Sequence, residues 1–220
     1  MATSSRSNAF PLLCALFAPG LLGVAQGAQA PCANQEIVVD AKPWDIDFRN
    51  NNGVLRDVVI TQCGTRIQAA EARFAGGLNF ENSHWTISGN VRITADGGSM
   101  RSDKAIVAFR NKLISRATIT GVPAEFEQLR DDGTTARGHA NTIDYETTDG
   151  TVSFIKDAWL SPDGRNEISG QQLVYNIRTQ SFNAKPRPSG GAGGSGRVRI
   201  VIQPGKPTTI TPDKEKEKKP

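Results

Sequence analysis

Five dipeptides of the kind that reverse a strand, Asn52-Gly53, Asp96-Gly97, Asp132-Gly133, Asp149-Gly150 and Asp163-Gly164, punctuate the chain between Ile37 and Ala184. Such pairs accept the positive φ angles of tight hairpin turns, so a chain that carries them at short intervals is confined to hairpins. Between them polar and apolar residues alternate, as in Trp85-Thr86-Ile87, Val91-Arg92-Ile93, Val152-Ser153-Phe154 and Ile168-Ser169-Gly170. Successive side chains of a strand point to opposite faces, and this alternation therefore describes strands with one buried face. No window of comparable length carries a helical period.

A loose repeat runs through the same region. Arg66-Ile67-Gln68-Ala69-Ala70, Met100-Arg101-Ser102-Asp103, Gly138-His139-Ala140 and Ile168-Ser169-Gly170 superpose at Ala70, Asp103, Ala140 and Gly170. The linking segments echo one another too, Gly89-Asn90-Val91-Arg92-Ile93 beside Lys156-Asp157-Ala158-Trp159-Leu160. Repetition of one hairpin unit predicts a stacked or rolled β-architecture rather than a Greek-key sandwich.

The ends read differently. Arg6 precedes an apolar run from Phe10 to Val24 that is broken by Pro11, Pro19 and Gly20 and followed by small residues, the pattern of a secretory signal. The run is too short to span a bilayer as a helix. Cleavage is expected after Ala25 or Gly27, so that residues 1–27 leave the mature chain, and Cys14 leaves with them. Cys32 and Cys63 remain, and in an oxidising compartment they are natural disulfide partners; the alternative is two unpaired thiols. Closing the loop between them stabilises the fold by roughly 3 kcal/mol in the chain-entropy view.

A β-domain is expected over residues 31–184. Lys185-Pro186-Arg187-Pro188 and the Ser/Gly run after it form a linker over 185–196. Residues 197–204, centred on Val198-Arg199-Ile200-Val201-Ile202, form a last strand, which either closes its own sheet or pairs with the edge of another molecule. Residues 205–220 are a solvated tail in which Lys214, Lys216, Lys218 and Lys219 alternate with Glu215 and Glu217. Much of the net charge of +4 sits there, and without an aromatic-basic motif it points to no nucleic-acid partner.

Catalytic signals fail on context. Gly191-Ala192-Gly193-Gly194-Ser195-Gly196 matches the dinucleotide fingerprint but follows a Pro-rich stretch and leads into a strand. Asp45 with Asp47, and Glu125 with Glu127, are adjacent on one strand face, whereas glycoside hydrolysis needs two acids flanking the sugar. His84 and His139 are too few to complete a zinc set with the cysteines. No cofactor, metal or catalytic constellation is expected.

Gly121-Val122-Pro123-Ala124-Glu125-Phe126-Glu127-Gln128, then Asp132-Gly133, Gly138-His139-Ala140 and Ile143-Asp144-Tyr145, resembles the signature of the LptA (OstA-like) family. The resemblance continues through Asp157-Ala158-Trp159-Leu160, Leu173 with Tyr175, and the terminal Gly196-Arg197-Val198; it departs at Val58–Cys63. It implies a β-jelly roll of stacked antiparallel hairpins, open along one side, whose apolar slot holds the acyl chains of lipopolysaccharide (lipid A) in the periplasm. It also implies head-to-tail homo-oligomers between an LptC-like inner-membrane protein and an LptD-like outer-membrane protein. Phe126 and Tyr145 match slot-facing positions, Trp44 and Ile46 match the first strand, and Ile143 and Phe154 join them by alternation; ordinary core packing is the competing role for each. Arg92, Arg101, Lys104 and Arg110 are candidate contacts for lipid phosphates. Two other readings are an LptC-like docking component of the same assembly and a secreted hydrolase on a β-scaffold.

Overall fold

The computed structural model describes residues 35–78, 80–183 and 198–203. The expected signal segment, Cys32, the 185–196 linker and the 205–220 tail lie outside the described residues, as does the side chain of Trp44.

The described residues form eleven strands and no helix: β1 (Val38–Asp47), β2 (Asn52–Gln62), β3 (Thr65–Ala75), β4 (Asn82–Ala95), β5 (Gly98–Arg110), β6 (Leu113–Leu129), β7 (Thr135–Glu146), β8 (Thr151–Ser161), β9 (Glu167–Asn176), β10 (Ser181–Asn183) and β11 (Arg199–Val201). Each strand from β1 to β10 pairs antiparallel with its neighbour in sequence, and β11 pairs with β9. β1 and β10 do not pair, so the sheet does not close. The fold is all-β, an open jelly roll of stacked hairpins.

What converts a flat meander into a roll is a line of bulges across the middle of the long strands. Register slips at Gln68/Glu71 in β3, Ser88/Val91 in β4, Arg101/Lys104 in β5, Thr120/Ala124 in β6, His139/Thr142 in β7 and Ile155/Ala158 in β8. An extra residue bends a strand sharply and deepens its twist. Several extra residues take positive φ: Asp57 (49°), Gly89 (79°), Asn90 (50°), Lys156 (63°) and Asp157 (51°). The inward parity changes at the bend in most strands. In β5, for example, Met100 is buried before it and Ala105, Val107 and Phe109 after it. The slip keeps the apolar face inside as each strand folds over itself.

The sequence repeat has its physical origin here. Ala70, Asp103, Ala140 and Gly170 all lie at or beside this corner, and so do the echoing pairs Gly89-Asn90 and Lys156-Asp157.

Four of the five expected turn pairs are turns, with Gly97, Gly133, Gly150 and Gly164 at φ of 74–78°. Asn52-Gly53 is not. It begins β2, opposite Asp47 and Ile46, and the reversal comes earlier, at residues 48–51. The cause is Asp47, whose carboxylate accepts from the backbone N–H of Arg49 (2.9 Å) and Asn50 (3.1 Å) and so starts the turn. Gly53 instead serves close approach, since a Cβ there would stand 2.6 Å from Phe74 Cζ.

Candidate functional site

The inward faces of both halves of the roll form one apolar cluster from Leu55 in β2 to Ile177 after β9. It contains two aromatic groups. Near the β1 end, Phe74 stacks on Trp85 at 4.8 Å, and Phe80 and Phe109 pack edge-on against each other at 4.9 Å. Toward the β9 end, Phe126 meets Phe154 at 5.6 Å and Tyr175 at 5.7 Å, both edge to face, the arrangement that the ring quadrupole favours.

Phe126, Ile143, Tyr145 and Phe154 all point inward and are almost completely buried in this cluster. Ile143 and Phe154 are cross-strand partners, and Phe126 touches Phe154, so these three come together. Tyr145 stands apart, at the margin of the roll. Ile46 packs half-buried against the cluster from β1.

That margin is a seam, the line along which the two sets of strand ends meet when each strand folds over. Among the described residues no strand ladder crosses it; side chains do. At one end Gln62, only 4% exposed, donates from Nε2 to the carbonyls of Lys112 (2.7 Å) and Gln35 (3.2 Å). Its Oε1 accepts from the N–H of Ile114 (2.8 Å). Further along, the Tyr145 hydroxyl and Arg178 Nε both donate to Asp96 Oδ2 at 2.9 Å. Arg178 also donates to the carbonyls of Thr148 (2.8 Å) and Thr147 (2.5 Å). Burial, and then the bond to Asp96, push the Tyr145 phenol well above its ordinary pKa, so it remains a donor across the physiological range. Beyond this, Gln128, 3% exposed, donates to the Ile177 carbonyl (2.8 Å) and accepts from the Tyr175 hydroxyl (2.9 Å).

These clasps differ in kind from a ladder. Their hydrogen bonds are strong while buried, but water replaces them once the seam parts, so each contributes only about 0.5–1.5 kcal/mol to holding it shut. From sequence Asp96 was legible only as a turn residue, and Gln128 and Tyr175 only as part of the family resemblance; none of these three, nor Gln62 or Arg178, carried a site role. For the two glutamines a signal existed: each has the inward parity of its strand, Gln62 with Val58 and Ile60, Gln128 with Ala124 and Phe126.

Two cavities open onto this framework. One, about 470 Å³, lies at the β1 end among Ile37, Val39, Leu55, Leu78 and Phe80. The other, about 570 Å³, straddles the seam between the Gln62 clasp and the Asp96–Tyr145–Arg178 clasp. Cys63 is disulfide-bonded, with its partner outside the described residues. His139 stacks on Trp159 at 5.0 Å, and among the described residues no group of three or more His, Cys, Asp or Glu could hold a metal ion.

An unclosed β-roll whose described residues gather one continuous apolar cluster on the inside face defines a class of scaffold in which ligand-binding capacity resides in the interior. Residues 75–181 match the family described as LptA/(LptD N-terminal domain) LPS transport protein. The lipopolysaccharide export system protein LptA of Escherichia coli K12 is 28% identical over 109 residues, 49% of this chain and 58% of that protein. The chain thus spans little more than half the length of this relative. LptA of Haemophilus influenzae is 25% identical over 130 residues, 58% of this chain and 72% of that protein. The crystal structure of LptH, described as the LptA-homologous periplasmic component of the lipopolysaccharide transport device of Pseudomonas aeruginosa, is 23% identical. It covers 79% of this chain and 99% of its own, with a TM-score of 0.41. Over residues 75–181, just under half of its length, the chain is similar to the LptA-like family.

Proposed function

We propose that this protein is a periplasmic carrier of lipopolysaccharide, which shelters the acyl chains of lipid A inside the roll and performs no chemistry on them. The observation that carries the reading is the continuous inward apolar face of an unclosed sheet, whose margin is bridged, among the described residues, by side chains rather than by a strand ladder. Each methylene kept out of water is worth about 0.8 kcal/mol, so a chain of a dozen carbons needs a cover worth about 10 kcal/mol to cross an aqueous space. An interior that opens along a seam provides that cover without a covalent step.

In this reading Phe126, Ile143 and Phe154 form the acyl-contacting floor, Tyr145 stands at the entrance, and Trp44 and Ile46 on β1 extend the path at one end. The edge of β1 that carries no partner strand among the described residues, and the edge formed by β10 and β11, are the surfaces by which rolls join head to tail. An LptC-like protein at the inner membrane and an LptD-like protein at the outer would continue the same path.

The test places a photo-crosslinking residue at Phe126 or Tyr145, with exposed Glu125 as the outward control, and probes cells for lipopolysaccharide adducts. Adducts at the two inward positions and none at Glu125 are expected. Adducts to protein alone would move the docking-component reading ahead of the carrier.

A further inference from the structure

The seam cavity differs from the rest of the interior in being lined by charge. It lies against buried Ile114 and Tyr145, while His84, Arg110 and Arg178 stand on its walls. Its acidic residues are already engaged: Asp96 by Tyr145 and Arg178, and Glu146 by Arg116 at 3.1 Å. Arg110 is exposed and has no carboxylate partner among the described residues. Arg178 uses three of its five N–H donors, on Asp96, Thr147 and Thr148, which leaves two for a ligand. Uncommitted cationic donors therefore flank a 570 Å³ space that adjoins an apolar core.

Resting on the carrier reading, we propose that this cavity is a binding site for an anionic, phosphate-bearing headgroup, held between Arg110 and Arg178 while the apolar part of the same molecule enters past the seam. A guanidinium matches phosphate geometry with two parallel hydrogen bonds. The site adjoins the clasp it would disturb. A phosphate on Arg178 competes with Asp96 for the same guanidinium, so docking of the headgroup loosens the seam at the point where the chains must pass.

Position also selects among the four cations named from the sequence. Arg92 and Arg101 line clefts at the corner of the roll, beside Asn90, Asp103 and Pro123, and Lys104 flanks the same bulge. Only Arg110 lies on the seam.

The experiment measures binding of lipid A vesicle-free micelles to the purified full chain, with the lipid either bearing its phosphates or enzymatically stripped of them, and with inorganic phosphate as a third probe. Wild-type protein is expected to prefer the phosphorylated lipid by about tenfold, the scale of one charge-assisted contact. Arg110→Ala should abolish most of that preference and leave the affinity for stripped lipid and the thermal midpoint unchanged, since Arg110 is exposed and has no carboxylate partner among the described residues. An undiminished preference in Arg110→Ala overturns the headgroup site while leaving the carrier intact. Inorganic phosphate bound as tightly as the lipid would make the site one for the free anion and overturn it too. If wild-type protein binds neither lipid, the carrier reading falls and takes the site with it.

Discussion

Gly138 shows how tightly the floor of the interior is fitted. A Cβ at that position would lie 2.6 Å from Phe154 Cε1 and 3.2 Å from Leu160 Cδ1, both parts of the packed core. Gly138→Ala should therefore cost about 1–3 kcal/mol in urea unfolding, as overpacking does. Gln128→Ala strands the Tyr175 hydroxyl and the Ile177 carbonyl, and a loss of similar size, about 1–3 kcal/mol, is expected by the same measurement. The inward direction of Ile143 and Phe154 was legible from alternation, and that of Phe126 and Tyr145 from the family resemblance. Their separation into a packed trio and a marginal Tyr145 was not, because only the fold-over brings Asp96 and Arg178, 82 residues apart in sequence, to the same point.

At the scale of the strand, the corner is where sequence and structure correspond most directly. Gly89 holds φ of 79°, and a Cβ there would approach the Ala70 methyl to 2.8 Å. Gly89→Ala combines a strained backbone with a clash across the bend, and about 1–3 kcal/mol of destabilisation should appear as a lowered thermal midpoint. The repeat was visible in the sequence because each strand must bend at the same height. That it marks corners rather than turns was not visible, since the periodicity of two persists on either side and only its phase slips. Asn52-Gly53 misled for a related reason: a turn dipeptide has no preference between a reversal and a close approach until Asp47 has claimed the neighbouring N–H groups. At the other end, β11 covers residues 167–169 of β9 through three residue pairs. Removing everything from residue 198 onward should bare that edge, and sedimentation should then show self-association stronger than that of the intact chain at the same concentration.

Over the whole molecule, the turns share an electrostatic dependence. The Asp132 carboxyl is held below its ordinary pKa by the Thr134 hydroxyl and then its N–H, and that of Asp149 by the Thr151 side chain first. Asp47 is depressed mainly by the Asn50 N–H. A carboxyl whose pKa is lower folded than unfolded contributes stability in full above the unfolded value, about 3.9, and loses it as pH falls through the folded value. Unfolding midpoints should thus be level from neutral pH down to about 5 and decline below about 4, and Asp132→Asn should shrink the decline. The architecture, though not the seam, was readable at this scale, because the order of turns and alternating strands already implies a meander. Which margin stays unladdered depends on contacts between segments that the pattern does not relate.

The sequential pairing of β1 to β10 also governs how the molecule is made. Each strand finds its partner in the segment just before it, so every step closes a short loop, and the entropy lost per step is small. Assembly can advance like a zipper as the chain emerges, without waiting for a distant segment to be synthesised. β11 is the exception, arriving last to an edge that has been complete since β9 formed. The same regularity sets the characteristic error: hairpins of similar length and matching corners can exchange between two nascent chains, so a slip by one whole hairpin, rather than unfolding, is the fault this design is most exposed to.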